Sequence, residues 1–431
     1  MRQYKKYERY KDTGVEWIGK IPEEWDLSKI KYIPKYEYKS FVDGDWIESP
    51  YITDEGIRLI QTGNIGIGSY KEQGYRYISE DTFKDLNCTE VYPNDVLICR
   101  LAGPVGRACL APSLTERMIT SVDVCILKPK DNIDRRYLVY ILSYDGYLQE
   151  ADFLARGGTR QRISRTQLGN INILLPPTDQ QKSIANFLDQ KTAEIDGLIA
   201  DKEKLIELLQ EKRQAIITET VTKGLNPNVK MKDSGIEWIG EIPEHWNTSS
   251  LRWYVSIKSG DFISQEDIDV EGKIPVIGGN GLMSYTNKTN CNYKTIAIGR
   301  VGALCGNVHL IRRPSWITDN ALFITNLSNK LYIEYLFYVL KALDLNQYAN
   351  KTAQPLISGS LVKSRIIPIP PIVEQAAIAD FLDQKTAEID DLITEIKLQI
   401  QKLKEYRQSL ISEAVTGKID VREFGSISEV I

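Results

Sequence analysis

Apolar residues recur on alternating steps of four and three along two stretches of the chain. In the first, Ile184, Leu188, Ile195, Leu198, Leu205, Leu209 and Ile216 keep that spacing, with Lys191, Lys202 and Lys212 at the remaining seam positions. In the second, 194 residues later, Ile378, Leu382, Lys385, Ile389, Leu392, Ile396, Gln399, Leu403, Tyr406 and Leu410 stand at the same places. This heptad spacing predicts long helices over 177–224 and 372–418. A Pro-Pro pair precedes each (Pro176-Pro177 and Pro370-Pro371) and a glycine lies near each end (Gly224 and Gly417), because proline is tolerated ahead of a helix and not inside one. A helix of about 43 residues at a rise of ~1.5 Å is about 65 Å long. One apolar stripe of that length needs cover. The alternatives are two helices packed on their own domains or two helices packed on each other, and the second is preferred.

The two stretches belong to a larger duplication. FLDQKTAEID occurs unchanged at Phe187–Asp196 and Phe381–Asp390, and DTGVEWIGKIPEEW (Asp12–Trp25) returns as DSGIEWIGEIPEHW (Asp233–Trp246) with ten of fourteen positions identical. From Trp17 to Phe187 is 170 residues and from Trp238 to Phe381 is 143, so the frames are kept while their contents differ. A period near 200 residues is too long for a solenoid, whose units run about 20–50. The expected fold is α+β: two α/β domains at 1–176 and 225–371, the two helices, and a tail at 419–431. After the breaker Leu225-Asn226-Pro227-Asn228 the first helix hands the chain straight to the second frame. The second helix is therefore expected to run back antiparallel, giving an approximate two-fold repeat with the tail beside the N-terminus.

With 431 residues, 42% of them hydrophobic, there is material for two cores and the helices. No apolar run is long enough to cross a membrane, and the opening MRQYKKYERYK is unlike a signal peptide. Six cysteines without a CxxC pair (Cys88, Cys99, Cys109, Cys125, Cys291, Cys305) suggest a reduced, cytoplasmic chain. The net charge of −4 changes meaning when divided. The helices carry 9 acidic against 7 basic and 9 against 6 groups, whereas 1–177 holds 25 of each and 233–371 holds 13 basic to 12 acidic. Near-neutral domains can still present a local basic stripe to phosphates. The densest cluster is RGGTRQRISR, with Arg156, Arg160, Arg162 and Arg165 around Gln161 and no acid; arginine suits bidentate contact to guanine edges or phosphates. The alternative is a set of solvated or salt-bridged arginines.

Signs of catalysis are missing. His245 and His309 are the only histidines, no GxxxxGK[ST] loop occurs, Pro93-Asn94-Asp95 lacks a following Glu-x-Lys, and the Pro-Pro pairs are followed by Thr178 and Ile372 rather than by an aromatic. That pattern points to a binding subunit.

Paired frames of WIGxIPxxW, each followed by a variable domain and then PPxxxQxxIAxFLDxKTAxID on a long helix, resemble the specificity subunit of type I restriction-modification enzymes. The residues that carry the likeness are Trp17, Ile18, Gly19, Ile21, Pro22 and Trp25 with Trp238–Trp246, and Pro176, Pro177, Gln181, Ile184, Leu188, Asp189, Lys191 and Ile195 with Pro370, Pro371, Gln375, Ile378, Leu382, Asp383, Lys385 and Ile389. The resemblance implies that each variable domain is a target recognition domain, that the helices form an antiparallel coiled-coil spacer, and that the chain is not itself an enzyme. It implies double-stranded DNA, two methylation subunits and ATP-driven restriction subunits as partners. It also places S-adenosylmethionine, ATP and magnesium in those partners, with no cofactor here. A bipartite, asymmetric DNA site follows, read by side chains in the major groove. The competing readings are a stand-alone DNA methyltransferase recognition protein and a coiled-coil scaffold without DNA affinity.

On individual residues, Arg100 and Arg300 occupy like positions ahead of Gly106 and Gly306, and Thr159-Arg160-Gln161 resembles Thr352-Ala353-Gln354. The expected DNA-binding set is Asn64, Lys71, Arg76, Arg100, Arg107, Arg156, Arg160, Gln161, Arg162 and Arg165 in the first domain, and Asn280, Lys288, Arg300, Lys351 and Gln354 in the second. Tight core turns are the competing explanation for the glycines and for Asp319-Asn320.

Overall fold

The short continuous apolar runs become strands. A computed structural model describes residues 4–155, 161–350 and 355–424. In the first half, β1 (Phe41–Asp43), β2 (Val96–Cys99), β3 (Ala108–Leu110) and β4 (Val124–Leu127) form an antiparallel sheet in the order β1-β4-β2-β3. β2 and β4 read VLIC and VCIL and are buried along their whole length, as β-branched runs covered on both faces should be. A second sheet sets Ile57–Ile60 between Tyr77–Ile78, antiparallel, and Met118–Thr120, parallel. The long helix α1 (Thr178–Lys223) follows.

The second half repeats this plan. Strands β5 (Val255–Ser259), β6 (Thr295–Gly299), β7 (Val308–Ile311) and β8 (Ala321–Leu327) pair in the order β5-β8-β6-β7. Ile274–Gly278 lies between Gly281–Thr286, antiparallel, and Trp316–Ile317, parallel. The helix α2 (Ile372–Val415) closes the repeat. One topology on two different sequences establishes the duplicated α+β fold. The chain divides into two units, Met1–Asp201 with Gln399–Ile431, and Lys202–Leu398, so each long helix is shared between them.

The residues repeated without change hold each unit together. Trp25 and Trp246 are fully buried, and their indole N–H groups donate to Gln180 Oε1 at 2.8 Å and Glu374 Oε2 at 2.9 Å. The glycines that end the helices pack on this frame. A Cβ on Gly224 would meet the Trp246 ring at 3.0 Å, and one on Gly417 would meet Pro22 at 2.4 Å. Both have positive φ, +76° and +69°, which ends a helix cheaply only with glycine. Gln181 and Gln375 are buried; each accepts a backbone N–H, from Asp134 and Tyr332, and donates to the carbonyl of Pro176 or Pro370. Tyr140 and Tyr338 donate to Asp189 and Asp383 at 2.8 and 2.6 Å and also meet Thr192 and Thr386. Burial pushes the Tyr338 hydroxyl up to about 12, so it remains a donor at neutral pH.

Within each unit the start of one long helix runs antiparallel to the end of the other. In the first unit Arg407 bonds Asp196 at 2.9 Å and the Phe187 and Phe424 rings meet edge-on at 4.8 Å. In the second, Arg213 pairs with Asp390 at 3.1 Å, and the Tyr335 hydroxyl reaches the carbonyls of both Val221 and Pro368. Asp196 and Asp390, like Arg213 and Arg407, are equivalent by the repeat, so one ion pair occurs twice. The tail lies beside the N-terminal segment: Asp420 N donates to Lys5 O, and Lys5 pairs with Glu423.

The seam runs one residue away from part of the expected stripe. Ile199 is 9% exposed, whereas Leu198 and Leu205 are 51% and 44% exposed, and Lys212 faces solvent. In α2, Ile393 and Ile400 are buried in place of Leu392 and Gln399, and Tyr406 yields to Arg407. The physical reason lies in the polar members of the seam. Thr192 and Thr386, tied to the tyrosines, and Arg213 and Arg407, tied to the aspartates, set the helical phase.

Candidate nucleic-acid interface

At one end of each four-stranded sheet several turns converge, and arginines tie them together. In the first domain β2 runs into Arg100, whose N–H donates to Asp123 O at 2.8 Å and whose guanidinium reaches Val122 O at 2.5 Å. The same side chain lies 3.4 Å from the Asp43 carboxylate at the end of β1. Arg162 pairs with Asp123 at 2.7 Å, and its segment forms a bridge to Leu101, with Ala102 N donating to Gln161 O. Arg107 bonds the carbonyls of Thr62 and Ile65 on one loop and of Leu101, Ala102 and Pro104 on another. The rim therefore comprises 44–46, 62–65, 100–104, 121–123 and 161–162.

The second domain builds the same rim from different side chains. Arg300 N donates to Asn320 O, and its side chain reaches Ser259 Oγ at 3.2 Å and Asp319 O at 3.4 Å. Val301 bridges Leu356 as Leu101 bridges Arg162. Asn307 stands where Arg107 stands and donates to Asn280 Oδ1 at 2.8 Å. The equivalence of Arg100 and Arg300 is thus structural as well as sequential.

The expected residues sort by burial. Asn64, Arg100 and Arg107 are 2%, 4% and 7% exposed. The Asn64 amide is satisfied by Gln61 N, Lys71 O and Gln73 O, and the two arginines are occupied with carbonyls and carboxylates of the rim. These three brace the surface from within. Gln161, Arg162 and Asn280 are exposed on the rims. Arg300 and Arg165 are half-buried, the latter donating to Phe41 O at 3.3 Å. Lys71 is exposed on the loop that Arg107 braces, and Arg76 is exposed beside the three-stranded sheet. Lys288 is engaged by Asp267 at 2.7 Å, and its hydrogen bond holds that carboxyl below the usual range. Arg156, Arg160, Lys351 and Gln354 lie outside the described residues.

Two rim residues escape the sequence reading, Trp46 and Phe262. Each follows a Gly-Asp pair, and they are 71% and 75% exposed. The signal available was the match of GDWI (44–47) to GDFI (260–263).

The fold has known counterparts. The sequence model of the type I restriction modification DNA specificity domain matches residues 23–208 and 243–402. The chain is 25% identical to the putative type I restriction enzyme MjaX specificity subunit of Methanocaldococcus jannaschii over 97% of its own length and 99% of that relative's. Among solved structures, a chain from work on complex assembly and conformational transition of the type I R-M system superposes with a TM-score of 0.70 at 14% identity, covering 92% of this chain and 98% of that one. The HsdS subunit from Thermoanaerobacter tengcongensis gives 0.51 at 14% identity, covering 95% and 100%.

Proposed function

Because this chain belongs to the type I restriction modification DNA specificity family, we propose that its two domains read the two halves of a bipartite, asymmetric DNA site. The observation that carries the reading is the pair of equivalent rims, built on one topology yet lined by different side chains. Arg162 and Gln161 on the first rim, and Arg300 and Asn280 on the second, have the donors and acceptors that base edges require. Lys71, Arg76 and Arg165 suit phosphates, which fix register without carrying sequence information. Arg156, Arg160, Lys351 and Gln354 join the proposed set from their places in the segment leading to each rim.

The helices would act as a spacer, holding the two domains so that an unread stretch of duplex separates the half-sites. The chain would contribute recognition alone. Two methylation subunits holding S-adenosylmethionine would flip and methylate adenines, and restriction subunits using ATP and magnesium would cleave unmarked DNA. The cytoplasm is the compartment where such partners meet DNA.

Genome-wide mapping of methyladenine in a host carrying and lacking the chain tests this. A two-part motif with an unread gap, present only with the chain, is expected. An identical set of marks in both hosts would overturn the reading.

A further inference from the structure

We propose that Trp46 and Phe262 are base-contacting residues, one per domain, each ring entering the groove of the half-site its domain reads. This rests on the DNA-reading function above and adds a contact that hydrogen-bonding residues do not supply.

A single exposed aromatic needs no explanation. These two stand at one position of a duplicated fold, in Gly44-Asp45-Trp46 and Gly260-Asp261-Phe262, and the backbone before each ring is clamped. Gly44 N donates to Val124 O and Asp45 N to Thr120 O, both at 2.9 Å; Gly260 N donates to Ala321 O at 2.9 Å and Asp261 N to Ile317 O at 3.0 Å. Neither glycine has room for a side chain. A Cβ on Gly44 would lie 2.2 Å from Thr120 Oγ1, and one on Gly260 would lie 2.3 Å from the carbonyls of Ile317 and Thr318. Both aspartates are held by the fold, Asp45 accepting from Thr89 N and Asp261, itself exposed, from Asn290 Nδ2, each at 2.8 Å. Ile47 packs beside a buried cluster. Both rings nevertheless stand in solvent, 71% and 75% exposed.

The fold gains little from a ring left in water, since an aromatic contributes through the 150–250 Å² it buries, roughly. The segments that carry the rings border the turns that the rim arginines hold, Asp45 bridging Ser121 in the first domain and Asp261 bridging Thr318 in the second. A phenyl ring has no donor for phosphate, but a ring at this position can meet a thymine methyl or the apolar edge of a base pair. A rigid mount lowers the entropy lost on contact. The occupant that fits is the target duplex.

The test uses the full chain in complex with its methylation subunits, comparing wild type with Trp46→Ala and Phe262→Ala by methyladenine mapping. It also measures affinity for an oligoduplex of the mapped site. Trp46→Ala should relax positions in one half-site only and Phe262→Ala in the other only, each weakening binding roughly tenfold to a hundredfold, the loss of one base contact. Thermal unfolding should not change, and Trp46→Phe should restore most of the affinity. Unchanged specificity and affinity in both alanine variants would overturn the proposal while leaving the two-part mark of the wild type in place. Lowered thermal stability alongside weaker binding would overturn it too, by making the rings structural. Failure of the underlying function would look different, because the wild type itself would leave no two-part mark.

Discussion

At the scale of residues, the chain separates arginines that build the surface from those that can use it. Arg100, Arg107, Arg162 and Arg300 look alike as letters near glycines, yet Arg107 is occupied with five carbonyls and Arg162 keeps an exposed face beside its aspartate. Residue type was legible in the sequence and burial was not, because burial depends on which loops fold over which. Asn64 shows the same limit, its amide satisfied by its own loop. His309 allows a test of the second domain that does not involve DNA. Its ring packs on Gly281, and burial, aided by the Lys341 ammonium, holds its pKa below the ordinary value. Unfolded histidine takes up a proton near pH 6.5, roughly, whereas the folded ring resists until lower pH, so protons favour the unfolded state there. Stability should be full above about pH 6.5 and decline as pH falls below it. Urea unfolding of wild type and His309→Gln at pH 7.5 and 5.5 should show the smaller acid loss in the variant. Equal losses would mean that the ring is freely protonated in the fold.

At the scale of elements, the two helices and the duplicated frames could be read from spacing, and the helical phase could not. Leu198-Ile199 and Leu392-Ile393 each offer adjacent apolar residues to a seam that takes one of them. Periodicity alone cannot choose between neighbours; the choice falls to Thr192, Thr386 and the Asp–Arg pairs, whose partners are far away in sequence. Ile199→Ala should therefore destabilise the first unit by about 2–4 kcal/mol through the lost apolar contact. Leu198→Ala, at a half-exposed position, should stay within about 0.5 kcal/mol. Denaturant midpoints would decide, and the reverse order would restore the simpler heptad. The sheet topology was out of reach of the sequence for a related reason. Strands such as VLIC and VCIL show that they are buried, but their order, and the parallel pairing of Ile57–Ile60 with Met118–Thr120, depend on contacts remote in the chain.

At the scale of the whole molecule, duplication supplies two equivalent mounts, and divergence of what they carry supplies two different reading surfaces. The repeated residues serve the mounts: Trp25 and Trp246 over the helix ends, Gln181 and Gln375 at the helix starts, and the paired Asp196–Arg407 and Arg213–Asp390 contacts. Residues that differ, such as Arg107 and Asn307, lie on the rims. If the helices only space the domains, lengthening both should change the distance between half-sites and nothing else. Matched insertions of four residues, between Asp201 and Lys202 and between Leu398 and Gln399, add about one turn to each helix, or ~6 Å. That is close to two base-pair steps of ~3.4 Å, and a four-residue stutter is one that paired helices absorb. Methyladenine mapping with the lengthened chain should return the same two half-sequences separated by a longer gap. New half-sequences at the original gap would contradict the division of the molecule into reading domains and a passive spacer.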